Sequence, residues 1–252
     1  MEPDALKSRV ALISGASRGL GKAMALALGR AGVRLALVAR DEKALAGTAS
    51  EIRAGGGEAE TYIADVSDEH QVAGLQRRAL DHFGRVEILI NNAGINARKP
   101  LSDFTLAEWN RVLSTNLTSA FLLCRAFVPQ MKGRGYGRVI NMTSIMSHVS
   151  LPERAAYSAS KAGLLGFTKA LALELAPEGI TVVAISPGPF ATEMNTAQMN
   201  DPEKNSFFIS RIPMGRWGQV EDVGRLALFL CSPEAGFITG TDILIDGGWC
   251  AQ

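Results

Sequence analysis

The feature that most restricts the fold of this 252-residue chain is an apolar segment followed at once by three glycines and an alanine- and leucine-rich segment. Residues 9–14 are Arg-Val-Ala-Leu-Ile-Ser, which is typical of a buried parallel strand. The glycines are Gly15, Gly19 and Gly21, and residues 22–31 have the apolar face of a helix. A strand, a glycine turn and a helix in this order favour the binding of a dinucleotide pyrophosphate, because glycines let the backbone approach and a helix N-terminus favours an anion. The spacing Gly-x-x-x-Gly-x-Gly differs from the commoner Gly-x-Gly-x-x-Gly, and either pattern alone is also compatible with an ordinary turn.

Strand-like and helix-like segments alternate along the rest of the chain. Strands are predicted at 9–14, 33–39, 59–63, 86–91, 137–142, 180–186 and 242–246. Helices are predicted at 20–31, 41–54, 68–82, 105–132, 154–176 and 220–231, with Pro129 expected to kink or shorten the fourth. This alternation predicts a single α/β domain over 1–252, a Rossmann-type doubly wound parallel sheet of about seven strands with helices on both faces.

The end of the second predicted strand bears on the choice of cofactor. In dinucleotide-binding folds, an acidic residue about twenty positions after the glycines holds the ribose hydroxyls of NAD, whereas an arginine suits the additional phosphate of NADP. Arg40 occupies this zone and Arg18 lies inside the glycine turn. Two guanidinium groups at one place favour a bound phosphate, so NADP(H) is the favoured cofactor. Asp41 keeps NAD(H) possible, and both arginines are also compatible with solvated surface positions.

A second group of residues has the chemistry of an acid/base site. Tyr157 and Lys161 are four positions apart in a segment of small residues, so a helix there places them on one face. The pKa of a phenol is about 10, and a neighbouring ammonium group favours the phenolate. Ser144, thirteen positions before the tyrosine, can hold a carbonyl or alcohol oxygen. Tyr-x-x-x-Lys alone is common on helix surfaces, and the glycine turn is what favours a catalytic interpretation.

Taken together, these motifs resemble the short-chain dehydrogenase/reductase family over nearly the whole chain. The matching residues are Gly15-x-x-x-Gly19-x-Gly21, Asp65-Val66, Asn91-Asn-Ala-Gly94, Asn116, Ser144, Tyr157-x-x-x-Lys161, Pro187-Gly188 and Thr192. The resemblance implies an NAD(P)-dependent oxidoreductase that transfers a hydride between nicotinamide and a secondary alcohol or ketone. Ser186 stands where the family often has asparagine, and we expect this departure to leave the chemistry unchanged.

The resemblance also implies a role for each matching residue. Tyr157 is expected to be the general acid in reduction and the base in oxidation, with Lys161 lowering its pKa and holding the nicotinamide ribose. Ser144 is expected to hydrogen-bond the substrate oxygen, Asn116 to hold a water that links the lysine to solvent, and Asp65 to bind the adenine amino group. The expected cofactor-binding residues are Gly15, Ser17, Arg18, Gly19, Leu20, Gly21, Arg40, Asp65, Val66, Asn92, Ala93, Gly94, Tyr157, Lys161, Pro187, Gly188 and Thr192.

The substrate pocket is expected where three loops meet the catalytic residues. The long segment 188–218 lacks a clear period and is expected to be a substrate lid, although its apolar side chains are equally compatible with packing in the core or on a neighbour. Arg98 suits a carboxylate, as in a sugar acid such as gluconate, and is also compatible with a solvated loop charge. A lone histidine such as His148 is more often structural, and Arg154 is undecided. The expected substrate-contacting residues are Asn96, Arg98, Ser144, Met146, His148, Phe190 and Met194.

Two branches of the family share these features. Residues 94–100 and 211–218 look like the gluconate 5-dehydrogenases, and they are loosely shared with the 3-oxoacyl-carrier-protein reductases, where a basic surface meets an acidic carrier. One non-enzymatic alternative is a nucleotide-binding sensor that kept the fold and lost catalysis. The complete hydroxyl, phenol, amine and amide set favours the enzyme. The resemblance further implies a homotetramer built through the long central helices and the C-terminal region.

Composition excludes several other classes of protein. The formal net charge is +1 and no basic patch indicates nucleic acid. The three cysteines, at 124, 231 and 250, are too few and too scattered for a disulfide framework or a zinc site, and no metal is expected. The start Met1-Glu-Pro-Asp lacks the basic and apolar regions of a signal peptide, and no run approaches the length of a membrane span. A cytoplasmic protein with no membrane partner is therefore expected.

Overall fold

The computed structural model describes residues 5–252, so the start Met1-Glu-Pro-Asp, on which the expectation of no signal peptide rests, lies outside the described residues. Strands and helices alternate as predicted. The strands are β1 (Val10–Ser14), β2 (Arg34–Ala39), β3 (Ala59–Ile63), β4 (Ile88–Asn91), β5 (Gly137–Met142), β6 (Ile180–Pro187) and β7 (Asp242–Ile245). The helices in this part of the chain are α1 (Gly19–Arg30), α2 (Glu42–Ala54), α3 (Glu69–Phe83), α4 (Leu106–Leu113), α5 (Ser119–Phe127), α6 (Ala155–Leu175), α7 (Thr196–Met199), α8 (Pro202–Ile209) and α9 (Val220–Cys231).

The strands form one parallel sheet in the order β3-β2-β1-β4-β5-β6-β7, which confirms the doubly wound fold. Strands β1, β4, β5 and β6 are buried along their whole length, because helices cover both faces. Two apolar clusters lie on the two sides of the sheet and share its central strands. The strand order reverses between β1 and β4, and the crevice at the carboxyl ends of these strands is where doubly wound folds bind ligands.

Local sequence explains where several helices begin and end. The Asp68 side chain accepts hydrogen bonds from the first backbone N–H groups of α3, and Gly84 ends this helix in the left-handed conformation with φ 76°. Thr105 and Glu108 form a reciprocal capping box at the start of α4. These caps satisfy backbone groups that a helix end leaves without partners.

The predicted helix at 105–132 is divided in the structure. A single π-helical turn, Ser114–Thr118, separates α4 from α5, and α5 ends at Phe127. Pro129 lies in the 3-10 turn Val128–Gln130 that follows, which confirms the predicted shortening. Single π-turns inside helices are frequent at functional sites, and this one carries Asn116.

The same helical stretch corrects one expectation about membranes. By length and composition alone, Leu106–Gln130 is long and apolar enough to cross a membrane, so the prediction that no run approaches that length is wrong. More than half of its apolar window is buried inside the protein. Leu123 and Phe127 are fully buried in the cluster that also contains Val139 of β5, so this stretch packs as a core helix.

The segment 188–218 contains regular structure that the sequence did not predict. It includes the short helix α7 and the eight-residue helix α8, whose N-cap Asp201 accepts hydrogen bonds from two backbone N–H groups. Pro202 occupies the first helical position, where its fixed φ is favourable. Helices this short contain too few turns to produce a recognisable apolar period.

Candidate active site

The glycine turn joins β1 to α1 at the point where the strand order reverses. Gly15 and Gly19 have φ values of 66° and 54°, which L side chains rarely adopt. A Cβ atom at Gly21 would lie 2.2 Å from the carbonyl oxygen of Gly15, so only glycine fits there. The Asn92 side chain donates hydrogen bonds to the carbonyls of Ser14 and Gly15 at 3.0 and 3.1 Å. The turn is thereby tied to the end of β4, and its shape leaves room for a pyrophosphate at the start of α1.

Ser14, to which the sequence analysis gave no role, connects β1 to the loop after β4. Its hydroxyl accepts hydrogen bonds from the backbone N–H groups of Asn92 and Ala93 at 3.0 and 3.1 Å. The same hydroxyl donates to the carbonyl of Ile90 at 3.3 Å. The residue is 1% exposed, so these groups are shielded from water. One buried hydroxyl therefore helps to place both walls of the crevice.

Two arginines meet the crevice near the end of β2, and each faces a carboxylate. Arg18 lies 2.8 Å from Asp41, and Arg40 lies 3.3 Å from Asp65. Burial acts to raise the pKa of Asp65, but hydrogen bonds from Ser67 and the charge of Arg40 outweigh it and leave the pKa below its usual value. Both guanidinium groups are more than half exposed, where an ion pair contributes little to stability. They can therefore exchange these carboxylates for a ligand phosphate at small cost.

Ser144, Tyr157 and Lys161 line the same crevice, a cleft of about 700 Å³. Ser144 follows β5, and its hydroxyl accepts a hydrogen bond from the backbone N–H of Met146 at 3.1 Å. Tyr157 and Lys161 are one turn apart on α6, with the Lys161 Nζ 5.7 Å from the centroid of the phenol ring. Lys161 Nζ donates a hydrogen bond to the carbonyl of Met142 at 2.6 Å. The aliphatic hydroxyl, the phenol and the amine thus converge, as the sequence predicted.

Charge and burial around the phenol set its protonation. Burial raises the pKa of Tyr157, whereas the hydrogen bond with Ser144 and the positive charges of Arg154 and Arg98 act to lower it. The phenol is therefore protonated at neutral pH and is available as an acid. Burial lowers the pKa of Lys161 to about 8. Lys161 Nζ lies 5.7 Å from the centroid of the phenol ring, and the expectation that its charge lowers the pKa of the phenol stays a prediction.

Asn116 lies in the π-turn, close to Lys161 of α6. Its Oδ1 accepts a hydrogen bond from the Ile95 N–H at 2.8 Å, and its Nδ2 donates to the Ile95 carbonyl at 2.9 Å and to Ser160 Oγ at 3.0 Å. A Cβ atom at Gly94 would lie 3.4 Å from Asn116 Oδ1 and 3.6 Å from Lys161 Nζ, so both groups border the same small space. The π-turn places the Asn116 amide at this position, and the sequence of Ser114–Thr118 contains no pattern that predicts a π-turn.

The structure brings the expected cofactor-binding residues together. Every one of them lines the cleft, as do Phe190 and Met194 from the segment 188–218. The expected residues Asn96, Arg98, Asn116, Met146 and His148 do not line it. Asp41, which the sequence analysis weighed in favour of NAD(H), also lines the cleft, and the lining residues that it missed are Val38, Ala39, Ala64, Ile95, Thr115, Met142, Thr143 and Asn195. Several of them are direct neighbours of matched residues at strand ends. They could have been predicted, because the carboxyl ends of the parallel strands meet at one edge of the sheet, where the ligand binds.

His148 and Met146 contact the protein interior. His148 Nε2 lies 2.5 Å from Asp242 Oδ2 at the start of β7, and the Asp242 side chain is 6% exposed. Ser186 Oγ lies 2.7 Å from the same carboxylate and 3.0 Å from the carbonyl oxygen of Ser144. Met146 packs against the cluster of Ile145, Ile212 and Trp249. These contacts hold the chain around Ser144, and the substrate contacts expected of both residues stay predictions.

A doubly wound sheet with a glycine turn and a serine, tyrosine and lysine in one cleft is the arrangement of nicotinamide-dependent oxidoreductases. Residues 15–250 match the family model described as enoyl-(acyl carrier protein) reductase. The chain belongs to the short-chain dehydrogenase/reductase family, as the resemblance in the sequence indicated.

Relatives with assigned names cover nearly the whole chain. The 3-oxoacyl-[acyl-carrier-protein] reductase of Synechocystis sp. is 41% identical over 246 residues, which is 97% of this chain and 98% of that protein. The gluconate 5-dehydrogenase of Gluconobacter oxydans is 36% identical over 94% of this chain and 93% of that protein. A crystal structure from Beutenbergia cavernae, provisionally named an NAD(P)-dependent gluconate 5-dehydrogenase, holds NADP at low occupancy. It is 38% identical, covers 99% of this chain and 100% of that chain, and superimposes with a TM-score of 0.93.

The protein is therefore an NAD(P)-dependent oxidoreductase that acts on hydroxyl or keto groups of a small-molecule substrate. The glycine cradle fits a nicotinamide dinucleotide, because a side chain at Gly21 would occupy the space of the turn. The arginines at the end of β2 lie where the adenosine half of such a cofactor binds in this fold. The alternative of a catalytically silent sensor is set aside, since the named relatives are dehydrogenases and reductases.

Proposed function

We propose that the protein is an NADP(H)-dependent dehydrogenase/reductase acting on a secondary alcohol or its ketone, with a sugar acid such as gluconate as the favoured substrate. The observation that carries the proposal is the convergence of Ser144, Tyr157 and Lys161 in the cleft that also contains the glycine turn. When bound, the nicotinamide supplies or accepts the hydride. The protein's own residues orient the substrate oxygen and move the proton.

The proton is exchanged at the phenol oxygen of Tyr157. In reduction, Ser144 holds the carbonyl oxygen and the protonated phenol donates to it. In oxidation, the phenol first loses its proton to solvent along the path through Lys161, and its oxygen then takes the proton of the alcohol. Lys161 is buried beside the ring and holds the ribose next to the reacting centre. Asn116 binds the water through which the lysine exchanges protons with solvent. Support for this path comes from the shared space that borders Asn116 Oδ1 and Lys161 Nζ.

Preference for NADP(H) over NAD(H) rests on Arg40 and Arg18. Both side chains line the cleft, and both are exposed enough to turn from Asp65 and Asp41 to a 2′-phosphate. A phosphate presents several acceptor oxygens to guanidinium donors. Hydrogen bonds between these charged groups are stronger and shorter than those between neutral groups. The NADP in the Beutenbergia cavernae relative supports the same choice.

The preference for a sugar acid rests on the loop after β4. Lys99 forms an ion pair with Glu108 at 2.6 Å and so belongs to the start of α4. Arg98 donates a hydrogen bond to Asn195 Oδ1 at 3.2 Å, which leaves its charge available to a carboxylate. Asn96 Oδ1 in the same loop is buried and accepts no hydrogen bond from the described residues, and it does not line the cleft. The relatives named gluconate 5-dehydrogenase support this class.

A second candidate substrate is a 3-oxoacyl group carried on an acidic protein. The 41% identity to the Synechocystis enzyme over 97% of the chain favours it. A cation such as Arg98 in the loop beside the active site would also suit an acidic carrier. The two candidates differ in whether a carboxylate accompanies the reacting carbonyl.

A substrate panel tests the proposed function. Gluconate, uncharged polyols, acetoacetyl-coenzyme A and cyclic ketones are each assayed with NADP(H) and NAD(H) by nicotinamide absorbance. Turnover of gluconate with NADP+ at the highest kcat/KM supports the proposal. Faster turnover of the thioester supports the second candidate, and absence of turnover across the panel contradicts both.

We also propose a cytoplasmic homotetramer with no nucleic-acid or membrane partner. Leu173 on α6 is 80% exposed and Phe237 is fully exposed, and a second copy would cover such side chains. The edge strand β7 carries Leu244, which is 44% exposed. The three cysteines are free thiols, as suits a reducing compartment. Sedimentation equilibrium tests the assembly, and a stable monomer would contradict it.

A further inference from the structure

A buried carboxylate lies close to the backbone of Ser144 without lining the cleft. It belongs to Asp242 at the start of β7, whose side chain is 6% exposed. Its Oδ2 lies 2.5 Å from His148 Nε2 and 2.7 Å from Ser186 Oγ. Among residues 5–252, His148 is the basic side chain within ion-pair distance of this carboxylate. A buried carboxylate is unfavourable unless hydrogen bonds satisfy it, so Asp242 constrains the groups around it.

The hydroxyl of Ser186 has more acceptors than it can serve. It carries one proton, whereas two acceptors lie within reach, Asp242 Oδ2 at 2.7 Å and the Ser144 carbonyl oxygen at 3.0 Å. A hydrogen bond to a carboxylate is stronger than one to a neutral carbonyl, so Asp242 takes the proton unless another donor satisfies Oδ2. His148 Nε2 is placed to be that donor. When it donates, the Ser186 proton is free to serve Ser144.

Thr143 does not replace His148 as the donor. Its hydroxyl also carries one proton, and its nearest acceptor is the Ile185 carbonyl at 2.8 Å. The same hydroxyl reaches the other oxygen of Asp242, Oδ1, at 3.3 Å, which leaves Oδ2 unserved. The donor that satisfies Oδ2 without using the Ser186 proton is therefore His148.

The Ser144 carbonyl belongs to the backbone from which the active-site hydroxyl projects. It accepts a hydrogen bond from the Ser147 N–H at 2.8 Å and so begins the 3-10 turn Ile145–Ser147. The Ser144 hydroxyl is held in the same turn by the Met146 N–H at 3.1 Å. Ser186, on β6, is the second donor to this carbonyl and ties the turn to the sheet. A small displacement of a group that orients the substrate is costly for catalysis, so this tie matters for turnover.

We propose that His148 is a positioning residue for Ser144 that acts through the Asp242 carboxylate. Its Nε2–H satisfies Asp242, and this leaves the Ser186 hydroxyl to hold the Ser144 carbonyl. These hydrogen bonds, from His148 through Asp242 and Ser186 to Ser144, are called the relay below. The relay requires a proton on Nε2 and requires no contact between His148 and the substrate. It rests on the proposed function in one respect, which is that Ser144 holds the reacting oxygen.

A double-mutant cycle on turnover tests the relay. The value of kcat is measured with the compound of the substrate panel that the wild type turns over fastest. His148→Leu and Ser186→Ala should each lower kcat by about 10- to 100-fold with little change in the Kd of NADPH, because each leaves the Ser144 carbonyl without its second donor. The double variant should be no slower than Ser186→Ala, because His148 has no serine proton left to release. Losses that multiply in the double variant would overturn the relay.

A conservative variant separates positioning from packing. His148→Gln keeps an N–H donor on a side chain of similar reach, so it should retain most of the kcat that His148→Leu loses. His82→Leu removes an exposed imidazole from the last turn of α3, away from the cleft, and is the matched control with unchanged kcat. Equal losses of kcat in His148→Gln and His148→Leu would show that the donated proton has no role, and would overturn the relay.

Two measurements without turnover keep this inference separate from the proposed function. Nitrogen NMR of the wild-type protein should show a proton on His148 Nε2, and a ring protonated on Nδ1 alone overturns the relay. Amide hydrogen exchange at Ser147 should be about 2- to 10-fold faster in His148→Leu and in Ser186→Ala than in the wild type, the worth of one hydrogen bond, because the carbonyl that accepts this N–H is held less firmly. Equal exchange rates overturn the relay as well. If no compound of the panel is turned over, the proposed function is rejected, and these two measurements alone decide for or against the relay.

Discussion

Replacing Ser14 with alanine should destabilise the protein far more than a single lost hydroxyl usually does. The substitution leaves the backbone N–H groups of Asn92 and Ala93 without their acceptor in a site that is 1% exposed. Each buried donor without a partner costs about 1–3 kcal/mol, so the free energy of unfolding should fall by about 2–6 kcal/mol. At about 2–4 °C per kcal/mol for a chain of this size, Tm should fall by about 4–24 °C.

The matched control is Ser119→Ala in α5. Ser119 is 3% exposed and donates one hydrogen bond, to the carbonyl of Thr115 at 2.6 Å, so its loss should cost only about 0.5–1.5 kcal/mol. Urea unfolding and thermal unfolding of both variants give the comparison. The Ser14 variant should also bind NADPH more weakly, because Asn92 holds the glycine turn. Equal unfolding free energies for the two variants would refute this account of the crevice.

Four further predictions concern the cofactor and the catalytic groups. Tyr157→Phe should bind NADPH normally in a fluorescence titration and lose turnover by about 10²–10⁴-fold, and near-normal turnover would remove the phenol from the mechanism. Arg40→Ala should raise the Kd of NADPH by about 5- to 50-fold with little effect on NADH; equal effects would show that this residue does not contact the 2′-phosphate. Gly21→Ala should abolish cofactor binding, measured by calorimetry, because the new Cβ would lie 2.2 Å from the carbonyl oxygen of Gly15. Gly47→Ala, in open space within α2, should instead stabilise the protein by about 0.5–1 kcal/mol, measured by urea unfolding. The pKa of Lys161 is lowered to about 8 in the folded protein, whereas the ordinary value is about 10.4. Between these two pH values the unfolded chain binds more protons than the folded chain. The free energy of unfolding of the wild type, relative to that of Lys161→Met, should therefore increase by about 1.4 kcal/mol per pH unit in this range. A difference that stays constant with pH in urea unfolding would contradict this last expectation.

The sheet was predictable because most of its strands are apolar runs bounded by polar or glycine-containing turns; β3, Ala-Glu-Thr-Tyr-Ile, is an exception. The predicted start of β4 at 86 is two residues early, since Val86 and Glu87 are buried without forming the strand. The Glu87 carboxylate accepts hydrogen bonds from the Val10 N–H and from Arg9, which explains a buried charge before a strand. Helices as short as α7 and α8 carried no detectable signal.

The candidate site was predictable as far as motif spacing reached. The positions of the glycines determine the backbone of the turn, and the spacing of Tyr157 and Lys161 places both on one face of their helix. The convergence of the turn and this helix face in one cleft then followed from the order of the strands. Partners that are distant in the chain were not predictable, because no local pattern reports them. His148 and Asp242 are 94 positions apart, and nothing near Arg98 in the sequence indicates that its charge acts on Arg154.

The pairing of His148 and Ser186 with one buried carboxylate has a consequence for the evolution of this chain. Asp242 needs donors on both sides, and a serine at 186 is short enough to serve it while also reaching the backbone of Ser144. Introducing asparagine at 186 alone would remove the hydroxyl that reaches both Asp242 and the backbone of Ser144. We expect positions 148, 186 and 242 to change in concert among homologues, so that a loss of activity caused at any one of them is restored by a compensating change at another.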